Sequence, residues 1–348
     1  MKSKQKLPWK DKVYFVAEAG VNHNGKLFLA KKLIKAAKYA GADAVKFQTW
    51  YPGELTGRFA KKIDYLKKNT NIKQSRYYIS QKLCLSYKSF FTLKKYAKKI
   101  GIDFLSTPDG EKSLDFVSDK LNVPYIKIGS TELNNLRLLY KVGKKHKPVF
   151  LSTGMGTLKE VKAAMGTLKK AGGKKLPIVV LQCTTQYPCK FEEMNLKVIK
   201  TFSGLSKVEV GLSDHSIGFE ASIAAVALGA RVIEKHLTLN RNMVGPDHKA
   251  SMQTNDLKKL IFSVRTVFTM MGNGIKKPSI SEKKIMPQIR RGIVAKKNLP
   301  KGTKLKFSDL TFKRPATGIS ISEIKSLINK ITIKKLSEDE PIRWSFIK

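Results

Sequence analysis

Eight short apolar runs, each ending in a polar cluster, constrain the fold of this 348-residue chain more than any other feature. They are VYFVAEAG (Val13 to Gly20), AVKFQ (Ala44 to Gln48), IDFLSTP (Ile102 to Pro108), YIKIGS (Tyr125 to Ser130), VFLSTG (Val149 to Gly154), IVVLQCT (Ile178 to Thr184), VEVGLSD (Val208 to Asp214) and RVIEKHL (Arg231 to Leu237). Segments of helical period separate them. Leu29, Leu33, Ala36, Ala37 and Ala40 share one face, and Leu257, Leu260, Ile261, Val264, Val267, Phe268 and Met271 share another. Eight strand–helix units in series predict an α/β fold, the closed (β/α)8 TIM barrel, with its active site where the strands end.

The chain is longer than the roughly 250 residues such a barrel needs, so a second small unit is expected. We place the barrel at residues 1–275, a linker at 276–287 and a compact, mostly β domain at 288–348. GNGIKKPSISEKKIMPQ reads as linker because it holds two prolines and no sustained apolar period, and ISEIKSLINK reads as one short helix. The second crossover is long. Tyr51 to Leu83 reads as an inserted loop whose Asn69, Asn71 and Tyr77 are candidate lid residues.

The net charge of +42 raises the question of nucleic acid. Both parts of the chain are basic, however, and lysines such as Lys94, Lys95, Lys98 and Lys99 fall on a presumptive helix face. A solvated surface that draws anionic substrates is expected, with no specific nucleic-acid partner. No run of 18 apolar residues is present, so no membrane partner is expected. Cys84, Cys183 and Cys189 are odd in number and lack C-x-x-C spacing, which reads as reduced thiols in a cytoplasmic protein.

The strand ends carry the chemistry. His215 follows the seventh strand and His236 lies near the end of the eighth. Neighbouring strands are about 4.8 Å apart, so two imidazoles there could meet at one divalent ion. Two hydrogen-bonded mouth histidines are the alternative. Asp214 and Glu234 are candidates to orient the imidazoles. Lys46 and Lys127 lie inside apolar strands, where an unpaired charge is costly, and so suggest a bound anion. Ser106, Thr107, Ser130, Ser152, Thr153 and Ser213 add hydroxyls suited to phosphate or carboxylate, or else to capping the following helices. Glu18, Glu132 and Asp247 are candidate acids for proton transfer or for holding sugar hydroxyls. His23 and His248 read as structural or peripheral.

Nine motifs in register from Ala17 to Ser251 (AEAGVNHNG, AVKFQ, FLSTP, YIKIGSTE, LSTGM, CTTQYP, GLSDHSIG, IEKHLTLNR and GPDHKAS) resemble the N-acetylneuraminate (sialic acid) synthase family, whose members also make legionaminate and pseudaminate. The tail from Arg290 to about Ser345, with FKRPATGIS, resembles that family's antifreeze-like (SAF) domain. The resemblance implies condensation of phosphoenolpyruvate with N-acetylmannosamine, or a related N-acetylated hexosamine, to a nine-carbon keto acid and phosphate. It implies a Mn²⁺ or Mg²⁺ ion on His215 and His236. It carries phosphoenolpyruvate contacts onto Lys46, Thr107, Lys127, Ser130, Ser152 and Ser213. Glu132 becomes the candidate for water activation, with Lys46 and Glu18 also catalytic. Glu18, Gln48, Tyr187 and Asp247 match sugar-addressing positions, and Arg314 one that reaches the sugar from the partner subunit of a domain-swapped homodimer. Thr185 departs from the Asn that some members place there. The CTT-x-YP form with PDHKAS is closer to the sialic/legionaminic branch than to the pseudaminic one. The competing readings are a legionaminate or pseudaminate synthase, another phosphoenolpyruvate-using barrel that takes phosphorylated aldoses, and a catalytically inactive basic binding protein.

Overall fold

The computed structural model describes residues 7–51, 53–61, 75–205 and 208–348; Asn69 and Asn71 lie outside the described residues. The chain divides into two compact units, Met1–Gly272 and Asn273–Lys348.

The first unit holds eight parallel strands: β1 (Tyr14–Gly20), β2 (Ala44–Thr49), β3 (Asp103–Pro108), β4 (Ile126–Ile128), β5 (Val149–Ser152), β6 (Ile178–Cys183), β7 (Glu209–Asp214) and β8 (Val232–Thr238). Their order is β3-β2-β1-β8-β7-β6-β5-β4. β3 and β4 lie side by side without a backbone ladder among the described residues, so the barrel is nearly closed. A short β9 (Met252–Gln253) pairs with the end of β8. Each strand coincides, within one or two residues at most ends, with one of the apolar runs.

Helices cover the outside because their apolar residues recur on one face. The helix Leu27–Ala40 buries Ala30, Leu33, Ile34, Ala37 and Ala40, and stops at Gly41, whose φ of +88° suits a residue without Cβ. Tyr51 to Leu83 is not one continuous loop. It ends in a helix, Arg76–Leu83, whose first turn is capped by the Ser75 hydroxyl.

Strand alternation divides the interior. Alternate residues face the barrel axis, and their neighbours face the helices. The axial set begins at the bottom with Tyr14, Tyr125 and Phe150, closed by Trp9 of the turn Pro8–Lys10. Trp9 meets those rings edge-on at centroid distances of 6.0, 5.0 and 5.1 Å. Burial of four aromatics of this size, with favourable edge-to-face contacts, makes the lower barrel a packed plug. Polar axial residues are thereby confined to the upper end.

In the second unit, β10 (Gly292–Ala295) pairs antiparallel with β11 (Leu310–Lys313) over a core that includes Ile293, Leu299, Leu305, Leu336 and Ile342. Much of the remaining pairing is by single bridges, such as Leu299 with Leu336. The helix read in ISEIKSLINK is a 3₁₀ turn, Ile321–Glu323, followed by Ile324–Leu327. The segment read as a linker carries a helix, Ile280–Ile289, with a capping box between Ser279 and Glu282. None of its residues is buried, which accounts for the missing apolar period.

Candidate active site

The axial residues above the plug form a charged cluster. Glu18, Lys46, Lys127 and Glu234 come from β1, β2, β4 and β8, and each is almost fully buried. Lys46 Nζ lies 3.0 Å from Glu18 Oε2 and 3.7 Å from Glu234 Oε2. It also donates to Thr107 Oγ1 at 2.9 Å. Lys127 Nζ lies 3.4 Å from Glu234 Oε1, which accepts a further bond from Ser213 Oγ at 3.0 Å. Glu234 thus balances both lysines. Burial alone would raise its carboxyl, but Lys127 and Lys46 outweigh burial and hold it low. Glu18 goes the other way. Burial and the Glu234 charge raise its carboxyl against the pull of Lys46.

The two lysines are therefore paired within the protein, a correction to the expectation that an anion alone explains them. Glu234 serves them and does not orient an imidazole. Asp214 is also corrected. It faces the helices, where Lys235 Nζ reaches Oδ2 at 2.8 Å and Ser222 Oγ donates to the same oxygen at 2.6 Å. Ser106 and Thr153 turn away from the axis as well. Ser106 pairs with Thr49 Oγ1, and Thr153 Oγ1 donates to Leu181 O.

Above the ion pairs, the structure brings Glu18, Lys46, Gln48, Thr107, Lys127, Ser130, Ser152, Tyr187, Ser213, His215, His236 and Asp247 to one cavity. Ser130 Oγ accepts from Gly154 N at 3.0 Å, while Ser152 Oγ is buried with no partner among the described residues. Gly154 must lack a side chain, because a Cβ there would sit 2.1 Å from Thr185 Oγ1 and 2.8 Å from Ser130 Oγ. Gln48 Nε2 donates to Glu18 Oε1 at 3.3 Å. Beside them the β1–β2 register shifts between Glu18 and Gly20. Gly20 takes φ +48°, and a Cβ on it would approach Glu18 Oε1 (3.3 Å), Asp247 Oδ2 (3.5 Å) and Gln48 Nε2 (3.7 Å). A bulge of this kind beside a site re-aims side chains, here leaving an open notch among three polar groups.

The two imidazoles meet. The His215 and His236 rings are 5.4 Å apart between centroids, with Tyr187 packed 4.2 Å from the first and 5.6 Å from the second. His215 Nδ1 hydrogen-bonds Thr184 O at 2.8 Å, which fixes its tautomer and leaves Nε2 as a lone pair. Burial and the neighbouring His215 hold His236 far below the usual imidazole range, so it is a neutral lone-pair donor, whereas at His215 the neighbouring Cys183 outweighs burial and raises the imidazole. Its Nδ1 is buried without a hydrogen bond and lies 4.0 Å from Asp247 Oδ2. Among the described residues no group of three or more His, Cys, Asp or Glu is gathered as a metal cage. The pair fits an ion held by two imidazoles with its other positions open.

His248 hydrogen-bonds Thr238 Oγ1 at 2.7 Å and Asn24 Oδ1 at 3.3 Å, securing the loop that carries Asp247. His23 accepts from Gly25 N at 3.0 Å. Burial lowers both imidazoles to about 4, so they are neutral structural groups. Glu132 is not among the residues lining the cavity. It is half-buried and accepts from Asn135 Nδ2 at 2.8 Å. Tyr77 lies by Gly53 and Tyr51, while Arg76, Ile79 and Leu83 of its helix line the cavity instead. Arg314 belongs to the second unit, exposed before a cis bond to Pro315.

A parallel barrel with buried lysines, clustered hydroxyls and two adjacent imidazoles at its upper end has the makings of an enzyme that handles an oxygen-rich anion. Comparison with known proteins gives the family. Residues 33–276 match the NeuB family and residues 290–348 the SAF domain, and the chain belongs to the NeuB family. It is 46% identical to the N,N'-diacetyllegionaminic acid synthase of Campylobacter jejuni, covering 95% of this chain and 99% of that one. It is 34% identical to the human N-acetylneuraminate-9-phosphate synthase, covering 94% and 91%. The solved N-acetylneuraminic acid synthetase of Leptospira borgpetersenii superposes with a TM-score of 0.70 at 32% identity, over 78% of this chain and 90% of that one. The chain is thus an enzyme of the sialic-acid-synthase type.

Proposed function

We propose that this enzyme condenses phosphoenolpyruvate with an unphosphorylated N-acetylated hexosamine, giving a nine-carbon keto acid and phosphate. The observation that carries the reading is the convergence of Lys46, Lys127, Ser130, Ser152 and Ser213 with two adjacent imidazoles in one cavity. The lysines and hydroxyls suit the phosphate and carboxylate of phosphoenolpyruvate. Glu18, Gln48 and Asp247, gathered around the Gly20 notch, suit the hydroxyls of the sugar. A Mn²⁺ or Mg²⁺ ion on His215 and His236 would supply a Lewis acid for the sugar aldehyde. Tyr187 packs both rings and keeps them in register.

The relatives favour a 2,4-diacetamido-hexose over N-acetylmannosamine only slightly, because legionaminic acid synthases and N-acetylneuraminate-9-phosphate synthases both occur among them. The test is product mass after incubation with phosphoenolpyruvate, Mn²⁺ and a panel of N-acetylated hexosamines. A nine-carbon acid is expected from one or more of them. Turnover confined to phosphorylated aldoses would refute the reading.

A swapped homodimer is part of this proposal. Arg314 is exposed and directly follows β11. Arg314→Ala is expected to raise the KM for sugar about tenfold or more, an interaction of roughly 1.4 kcal/mol, with that for phosphoenolpyruvate little changed. Equal effects on both constants would argue against it.

A further inference from the structure

One acid of the cavity has no role in the account above. Asp109 follows β3 directly and lines the same cavity as Lys46, Thr107 and Lys127. Its backbone N–H donates to Thr49 O at 3.0 Å, which fixes it beside the end of β2. The next residue, Gly110, has φ +139°, and the Glu54 carboxylate fills the place of a Cβ at 2.8 Å. Only glycine suits that backbone, so the turn is tightly specified and the carboxyl is held at the cavity. Four charged groups act on it through space: Glu18 from β1, Lys46 from β2, Lys127 from β4 and Glu132 just after β4. Arg76 lines the cavity from the helix Arg76–Leu83. Burial, then the nearby Glu132, raises the Asp109 carboxyl to about 7 against the pull of Lys46. Asp109 lines the cavity together with both lysines, whereas Glu132 is turned to Asn135.

We propose that Asp109 is a catalytic acid of this site, protonating the phosphate as it leaves C2. This rests on the synthase reading. In the tetrahedral adduct, C2 carries a hydroxyl from water, the carboxylate, the phosphate ester oxygen and the new bond to the sugar carbon. The bond from C2 to the ester oxygen breaks, its electron pair stays on that oxygen, and the oxygen takes the Asp109 proton. The C2 hydroxyl becomes the ketone, and its proton passes to solvent water.

The test compares wild type, Asp109→Asn and Asp109→Glu with phosphoenolpyruvate, Mn²⁺ and the hexosamine that the wild type turns over. General acid catalysis contributes about 10²–10⁴-fold, so Asp109→Asn is expected to lose at least about 100-fold in kcat with the KM for phosphoenolpyruvate little changed. Asp109→Glu keeps an acid and is expected to recover part of the loss, and melting curves confirm that each variant is folded. The proton must be present for the step, so wild-type kcat falls as pH rises through the Asp109 titration. Glu18 is also raised, so the Asn variant decides which acid sets that limb. The limb should vanish in Asp109→Asn. An Asn variant within twofold of wild type, or one that keeps the limb, overturns the role of Asp109 and leaves the synthase reading standing. A wild type inactive toward every N-acetylated hexosamine removes both.

Discussion

His215→Ala is expected to lower turnover by more than about 100-fold while the barrel stays folded. Groups that merely orient a metal ligand are worth 10–100-fold, so loss of one of two imidazole ligands should cost at least that. The fold should tolerate the change, because the His215 ring contributes a hydrogen bond to Thr184 O at 2.8 Å, worth about 1 kcal/mol, and a weaker contact with Cys183 Sγ at 3.8 Å. His236→Ala should behave alike, since its Nδ1 holds no bond within the described protein. Titration of Mn²⁺, followed by the signal of the free ion, separates this from general damage. Both variants should lose Mn²⁺ affinity with melting temperatures near wild type. Retained affinity with unchanged turnover would refute the metal assignment.

Lys235→Met should produce the largest loss of stability without touching the chemistry. Lys235 and Asp214 are almost fully buried, 2% and 1% exposed, on the wall that faces the helices. Breaking a buried pair by removing one partner typically costs about 3–5 kcal/mol, because the other charge is left uncompensated. Asp214 keeps donors from Ser216 N, Ser216 Oγ and Ser222 Oγ, so the lower end is expected. At about 2–4 °C per kcal/mol for a domain of this size, that is a fall of roughly 6–12 °C in Tm. Lys235→Met with Asp214→Asn should recover most of it, since the stranded charge is gone. An unchanged Tm in the single variant, or no recovery in the double, would show that the pair does not carry this energy.

The same strand shows how much the sequence made legible. β8 reads Glu234, Lys235, His236, and strand alternation alone sends the first and third to the axis and the second to the helices. Applied strictly, that rule finds Glu234 as the counter-charge for Lys46 and Lys127, which the sequence places inside apolar strands. It would also have excluded Asp214 as a partner for His215, because Asp214 lies one residue from the axial Ser213. The barrel was legible because eight apolar runs repeat at strand length, and the site followed from where they end. The helix Ile280–Ile289 was not, because it buries nothing and so has no apolar period; only its Ser279–Glu282 capping box announced it. Asp109 was hidden for another reason. A carboxylate in a strand-end loop is ordinary in sequence, and only the fold shows that this one lines the cavity that holds two buried ammonium groups.

The central claim is that one cavity holds phosphoenolpyruvate and a hexosamine together. Release of inorganic phosphate tests it most directly, measured with phosphoenolpyruvate alone, with the hexosamine alone, and with both, before and after chelation. The account predicts release only when both substrates and a divalent cation are present. Phosphate that appears without the sugar, or at an undiminished rate after chelation, would contradict it.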